Sequence, residues 1–532
     1  MDKMVAKPRL ILLLWLACAL WLGWLAQPLV RGILLLSLWP VFALSAQPPR
    51  PAPGGPVCFG AKGPELWLIL WLLWIVLAIP FSSAPLKSLW LSAHYAVCAG
   101  FYFALARQDA RGRELAARLI HAAGYGVALV ILIVRLRGGI FEAHANWTAC
   151  FAAAGFAMSL ALAASADYPS RRRAAMAVFA AVCGVAVYMS QSRGALLGAV
   201  AGALFVICRI SNRRALLWCA GGALAALAFI PQSVFVEFAA KPYDPFAFGR
   251  LHIWRIALDV IAHNPLAGVG ARCFEHGYLL LNTPYLAGIS MYGRYAQDAH
   301  SWLLNLAAEN GLPAAFFFLM FALAGLLRAF SASDARPGAL AAVVMAQSLF
   351  DGTMLYLPVA LLFFCGLAAG APESPAPEKR QWRVAAAGFA LCLAAFAVRT
   401  GIIGGYYRGD AGACFDRAVA ELSLNQPNPY IALDEINRAA GLSPHNAVYR
   451  LARGKIYEKL GFDSRAEADF KTAAALEPAY ISPAASLARL YAGRGNAEPA
   501  RLWRANAASR AALCAAKPRR GFDGLLCATV LP

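Results

Sequence analysis

Charge is what this chain has least of. Only 14% of its 532 residues are Asp, Glu, Lys or Arg, while 60% are hydrophobic; soluble globular domains carry roughly a quarter charged residues. A mean hydropathy of +0.57 points the same way, so an ordinary soluble domain is excluded. Acidic side chains are the scarcer sign, 28 against 48 basic, for a net charge of +20. The thirteen cysteines contain no Cys-x-x-Cys pair and no Cys/His spacing of a metal site, which argues against a redox motif or a structural zinc. His-Glu-x-x-His, a Ser-His-Asp hydrolase order and a Walker loop are missing as well. NPLAGVG (264–270) lacks the following Lys-Ser/Thr of a phosphate loop. It reads as a turn in which Pro265 stops a helix and Gly268 and Gly270 permit tight backbone geometry.

What the chain has is apolar length. Runs of about 17 to 22 residues recur, enough at ~1.5 Å per residue to cross a hydrocarbon core of ~30 Å. The expected fold class is all-α, a polytopic transmembrane helical bundle of about 12–13 spans. The spans read 10–26, 29–45, 65–83, 88–106, 118–134, 147–166, 174–190, 194–209, 215–231, 313–327, 338–352, 354–370 and 384–402, with Arg31 and Pro40 weakening the second. Lys3, Lys7 and Arg9 precede the first, which reads as an uncleaved helix rather than a signal peptide because its apolar stretch is long and further spans follow.

Lysine and arginine set the orientation. Arg107, Arg111, Arg113, Arg118, Arg171, Arg172, Arg173, Arg209, Arg328 and Arg336 fall on one side with the N-terminus. The short loops on the other keep Arg31, Lys87, Arg135, Arg137 and Arg193. By the positive-inside rule the first side is cytoplasmic. This asymmetry accounts for much of the basic charge, so no nucleic-acid partner is implied. A long polar loop, 232–312, and the C-terminal tail then face outside, the periplasm where a cell has two membranes.

Three regions are expected: N-terminal transmembrane helices over 1–130, a membrane core over 131–404 carrying the 232–312 loop, and an outer helical domain over 405–532. In the last, Leu442, Pro444, Tyr457, Gly461 and Ala473 recur 34 residues on as Leu476, Pro478, Tyr491, Gly495 and Ala507. That is the period of the tetratricopeptide repeat, whose helix pairs bury their apolar faces by stacking. A helical appendage and a docking surface for an acceptor or protein partner are both open. Cys18, Cys98, Cys150, Cys183 and Cys392 lie in apolar runs and serve as small apolar residues; Cys514 and Cys527 share the tail, where a disulfide is one reading.

The loop concentrates the polar chemistry, with His252, His263, His276 and His300 among eight histidines in all. His300 is the candidate base, since a neutral imidazole accepts a hydroxyl proton near neutral pH. Arg250 and Arg255 sit in FGRLHIWRIALDVI, an amphipathic surface helix that Ile253 and Trp254 would anchor at the membrane interface. Their forked guanidiniums suit phosphate oxygens, against the plainer reading of headgroup or Asp244 and Asp259 contacts. Arg193 opens an apolar helix, where it either snorkels or gathers an anion with the free N–H groups of the first turn.

Taken together, Ser192-Arg193-Gly194-Ala195, Arg250 to Trp254, Asn264-Pro265-Leu266 to Gly270, Ala299-His300 and Glu309 to Leu312 resemble the O-antigen ligase and polymerase superfamily over residues 130 to 370. His144-Ala145-Asn146 stands where that family often has Asn-Pro-Asn, and Ser301 follows His300 where asparagine is common. The resemblance implies a bacterial inner-membrane enzyme that moves glycan from a polyprenyl-diphosphate carrier to a hydroxyl of lipid A core, polysaccharide or protein, without cofactor or metal. In that reading Arg193 and Arg250, with Arg255 as a weaker addition, hold the diphosphate, and His300 is catalytic. The alternatives are a polysaccharide polymerase, a protein O-oligosaccharyltransferase and, in a different class, a non-catalytic scaffold for polysaccharide export.

Overall fold

A computed structural model describes residues 2–22, 28–44, 63–137, 145–209, 250–281, 296–371, 378–399, 411–444, 446–476 and 480–515. Regular structure among them is helical, with no strand. The chain divides into two units, one of residues 1–77, 89–243 and 300–400, the other of residues 78–88, 244–299 and 401–532.

The first unit is built from α1 (Asp2–Leu22), α2 (Pro28–Leu44), α3 (Pro64–Ala78), α4 (Pro85–Ala106), α5 (Ala110–Leu136), α6 (Ala145–Ala164), α7 (Ser170–Met189) and α8 (Arg193–Arg209). The remaining helices, with α9 and α10 belonging to the second unit, are α11 (Trp302–Ser331), α12 (Arg336–Ser348), α13 (Leu357–Ala369) and α14 (Glu378–Arg399). Among the described residues six helices are long and apolar enough to cross a membrane: Pro64–Phe81, Pro85–Ala106, Ala110–Leu136, Asn146–Ala164, Ser170–Met189 and Trp302–Ser331. Arg9–Leu22, Val30–Ala43, Leu357–Ala369 and Arg383–Ala397 are apolar but shorter. Among the described residues these helices meet the expected spans in part, and their bounds differ. The run 338–352 is the clearest case: its helix ends at Ser348 after 13 residues, because the Asp351-Gly352 turn interrupts it. The 215–231 run lies outside the described residues.

Leu129, Val130 and Ile133 of α5, Val178 and Val185 of α7, and Leu196, Val200 and Leu204 of α8 are all exposed. Apolar faces of this extent are unfavourable in water and favourable in lipid. The interior holds aromatics instead. Trp71 packs against Tyr95 and Phe318, each at 5.2 Å between centroids, and Tyr95 meets Trp302 edge-on at 5.6 Å. Small residues bring backbones together elsewhere. A Cβ on Gly198 would stand 2.8 Å from the carbonyl of Val343, and one on Gly202 would stand 2.7 Å from Cβ of Ala157. The glycine stripe of α8 therefore sets its contact with α12 and α6, as small-residue spacing does in membrane helices.

Ion pairs clasp one end of this unit. Arg9 pairs with Asp109, Arg336 with Glu114, and Arg328 with Glu65 at 2.7 Å, while the Tyr102 hydroxyl also donates to Glu65 at 2.7 Å. At that end Arg209, the last residue of α8, donates to the carbonyls of Ala329 and Ser333, where α11 finishes. The last turn of α8 thus lies beside the end of α11, and the first turn of α8 lies at the opposite end of the unit. α11 itself bends at Gly311 (φ 84°, ψ 166°). Pro313 has no N–H to offer the turn before it, and Trp74 Nε1 donates to the carbonyl of Asn310 at 3.1 Å. The break at Gly311 falls beside the expected end of the 232–312 segment, with 302–310 forming a short helix before it.

The second unit contains α9 (Arg250–His263), α10 (Phe274–Leu281), and α15 (Ala411–Leu422), α16 (Pro429–Leu442), α17 (Ala447–Lys459), α18 (Asp463–Leu476), α19 (Ile481–Gly493) and α20 (Ala497–Ala515). The starts of α16, α18 and α20 are 34 residues apart (429, 463, 497), as are those of α17 and α19 (447, 481). Gly461 (φ 79°) and Gly495 (φ 75°) close equivalent turns. After each, the next N–H reaches back five residues, Phe462 to Tyr457 at 2.8 Å and Asn496 to Tyr491 at 2.9 Å. This is the same C-terminal cap built twice. Phe470, Ala473 and Leu487 are fully buried between neighbouring helices. Cys527, and the side chain of Cys514, lie outside the described residues.

Candidate functional site

Arg193 is the first residue of α8 and is exposed. Two residues earlier Gln191 takes a left-handed φ of 56°, which turns the chain from α7 into α8. Ser192 caps the helix, its hydroxyl accepting from Ala195 N at 3.2 Å. His300 is half-buried and also left-handed, at φ 47°, immediately before extended Ser301 and the first turn of α11. Non-glycine residues enter this region at a cost of roughly 1–2 kcal/mol. Strain of that kind is held by its surroundings and collects at working sites. Arg193 thus opens α8 at the end of the first unit opposite the ion pairs, and His300 precedes α11 beside a strained turn of its own.

A polar cluster at this end escaped sequence reasoning. Ser192 Oγ donates to Asn146 Oδ1 at 2.7 Å, Gln347 Nε2 donates to the Asn146 carbonyl at 2.7 Å, and Asn146 Nδ2 donates to the carboxylate of Asp351. Gln347 is fully buried and Asp351 nearly so. Asn146 stands in the His144-Ala145-Asn146 motif, whereas Asp351 ends an apolar run with no motif around it. A carboxylate in so apolar a stretch was the available signal.

Arg250 and Arg255 belong to the second unit. Both are exposed on α9, where a spacing of five turns them ~140° apart about the axis, so they do not form one fork. Ile253 is 1% exposed, and Ile256 and Val260 are buried too, so Ile253 does not face outward as the expected membrane anchor would; Trp254 is half-buried. His263 is exposed, its Nδ1 2.8 Å from the carbonyl of Asp259. The side chain of His252 lies outside the described residues.

His276 has a different task. Its Nδ1 is 3.0 Å from Ser83 Oγ, and Ser83 donates both its N–H and its hydroxyl to the carbonyl of Val269 at 2.9 Å. Lys87, 5% exposed, pairs with neighbouring Glu275 at 2.5 Å. Ser88 Oγ donates to the Ala271 carbonyl at 3.0 Å. The turn after NPL is therefore fastened to the segment that links α3 to α4, and its glycines serve that docking rather than a phosphate. Among the described residues no group of three or more His, Cys, Asp or Glu converges as a metal site.

Residues 175–319 match the family model of the O-antigen ligases. The matched span runs from α7 into α11 and encloses Arg193, Arg250, Arg255 and His300. It supports a place in the O-antigen ligase superfamily and suggests glycan ligase- or polymerase-type activity in a multi-pass membrane protein. Asn146 and Asp351 lie on either side of the O-antigen ligase span. No curated protein matches the chain.

Proposed function

We propose that this protein transfers a glycan from a polyprenyl-diphosphate carrier to an acceptor hydroxyl at the outer face of the bacterial cytoplasmic membrane. The observation that carries the reading is the O-antigen ligase match over 175–319, within which all four candidate residues fall. The chemistry suits them. The acceptor oxygen attacks the anomeric carbon, the bond from that carbon to the diphosphate oxygen breaks, and the diphosphate leaves with the electron pair. Arg193 and Arg250, with Arg255 as a weaker addition, are the cations for the negative charge that grows on the leaving group, and fixed cations of this kind stabilise the transition state. His300 takes the proton released by the acceptor hydroxyl. A lipid-linked donor explains why the cations belong to a chain so poor in charge.

The 34-residue recurrence of helix starts and capping glycines supports a tetratricopeptide-type domain over 405–532, on the same outer side, as a docking surface for a protein partner or acceptor. Glycan transfer in membranes lacking the endogenous enzyme, supplied with lipid-linked oligosaccharide, tests the whole reading. Wild type should transfer, and Arg250→Ala and His300→Ala at matched expression should not. Product size separates ligation to lipid A core or protein from polymerisation. Equal activity in all three removes the site assignment, and no transfer by folded wild type favours a scaffold for export.

A further inference from the structure

We propose that Asp351 is a positioning residue for the transfer site, acting through Asn146 and Ser192 on the first turn of α8 and so on Arg193. The proposal rests on the transferase reading for its function, while Asn146, Gln347 and Asp351 lie outside the span that matches the family.

The argument begins with what each group can do. An ionised carboxylate only accepts hydrogen bonds, whereas a side-chain amide has one accepting and one donating end. Asp351, 5% exposed in the turn after α12, faces Asn146. Only the Nδ2 end of Asn146 satisfies a carboxylate there, so Oδ1 must turn the other way, towards Ser192. Ser192 then has to donate its single hydroxyl proton to Oδ1, at 2.7 Å. With that proton committed, the lone pairs of Oγ are left to accept from Ala195 N, which they do at 3.2 Å. One buried acceptor thus fixes the direction of every hydrogen bond from the α12 turn to the cap of α8. Gln347 holds the backbone of Asn146 in place from the side, so the amide cannot swing away.

The cap has something to hold. Gln191 is left-handed, and Ser192 leads from it straight into Arg193. A strained turn persists only where neighbours over-determine it, and here Ser190 Oγ accepts from Ser192 N at 3.2 Å while Asn146 takes the Ser192 hydroxyl. The guanidinium emerges from the residue between this turn and Gly194, which abuts Cγ of Gln347. The aim of Arg193 is thereby set by side chains 46 and 158 positions away, from 192 to 146 and from 193 to 351.

The test uses the full chain in detergent. Amide exchange over residues 192–197 is followed by mass spectrometry for wild type, Asp351→Ala, Asp351→Asn, Asn146→Ala and Ser192→Ala. Donor KM and kcat are measured in parallel. Loss of a serine cap opens a first turn about fivefold more often. Asp351→Ala, Asn146→Ala and Ser192→Ala should each accelerate exchange there by about fivefold or more, with residues 357–369 unchanged as internal control. The double variant Asp351→Ala/Ser192→Ala should add little to either alone. Asp351→Asn keeps an acceptor for Asn146 and should restore slow exchange and most of the activity, with the Ala variants raising donor KM. Unchanged exchange in Asp351→Ala overturns the relay, as does an Asp351→Asn variant as impaired as Ala, since the charge would then act directly. Should Asp351→Ala fail to fold, Asn146→Ala and Ser192→Ala carry the same two readings. Faster exchange in a chain whose wild type transfers no glycan keeps the relay and removes the transferase reading.

Discussion

Ser82 and Gly270 meet so closely that a Cβ on the glycine would stand 1.8 Å from the serine Oγ. Gly270 also has φ 108°, a conformation that side chains rarely take. Gly270→Ala should therefore loosen the docking of the 264–276 turn at a cost of about 2–4 kcal/mol, from strain and overpacking together. Amide exchange over 250–281 should rise. Adding Ser82→Gly should recover the steric part only, and an unaffected Gly270→Ala would mean that the turn is not held this way.

Arg328, Glu65 and Tyr102 form a closed set at the other end of the first unit, with the two charged side chains 20% and 24% exposed. Removing one partner of a buried pair leaves a stranded charge, usually at 3–5 kcal/mol, and partial exposure lowers that to about 2–3 kcal/mol here. Arg328→Leu should lower Tm in detergent accordingly. The double variant Glu65→Leu/Arg328→Leu should regain more than half of the loss. Additive losses would refute the coupling.

Gly461 and Gly495 offer a cleaner measurement, because a Cβ on either meets nothing within 4 Å. Only the left-handed backbone opposes a side chain. Each alanine substitution should cost about 1–2 kcal/mol, and the two should agree, since both glycines close the same cap. Unequal effects in chemical denaturation would show that the two turns are not equivalent.

Glu467 receives hydrogen bonds from Lys471, Tyr491 and Arg494, in that order of effect, which hold its carboxyl down at about 2. An unfolded glutamate titrates near ~4.3. The folded value is the lower one, so the stabilisation is fully present above the unfolded value and is lost as pH falls through the folded value. Glu467→Gln should therefore lower Tm at pH 6.5, and the gap to wild type should close between about pH 4.3 and 2. A gap that stays constant through that window, followed by circular dichroism, would rule the ion network out as its source.

The helical membrane architecture and the 34-residue register were legible because both are periodic, and periodicity survives in a sequence without knowledge of contacts. Arg193 at the start of α8 and the turn geometry of Gly268 and Gly270 were legible for local reasons. The roles of His276 and Asp351 were not. Their partners, Ser83 and Asn146, are 193 and 205 residues away, and a lone histidine or a lone aspartate looks alike whether it docks, caps or reacts. The span bounds differ for a related reason. Hydropathy sums apolar content along a window, whereas the break after Ser348 and the bend at Gly311 depend on single turns.

The glycine stripe of α8 has one more consequence. Two helices so close that a Cβ on Gly198 would stand 2.8 Å from the Val343 carbonyl cannot roll independently, because rotation drives a side chain into the facing helix. The azimuth at which α8 presents its first residue is thus inherited from α12. A substitution deep in that seam, such as Gly202→Leu, would re-aim Arg193 from more than two helical turns away while touching no substrate.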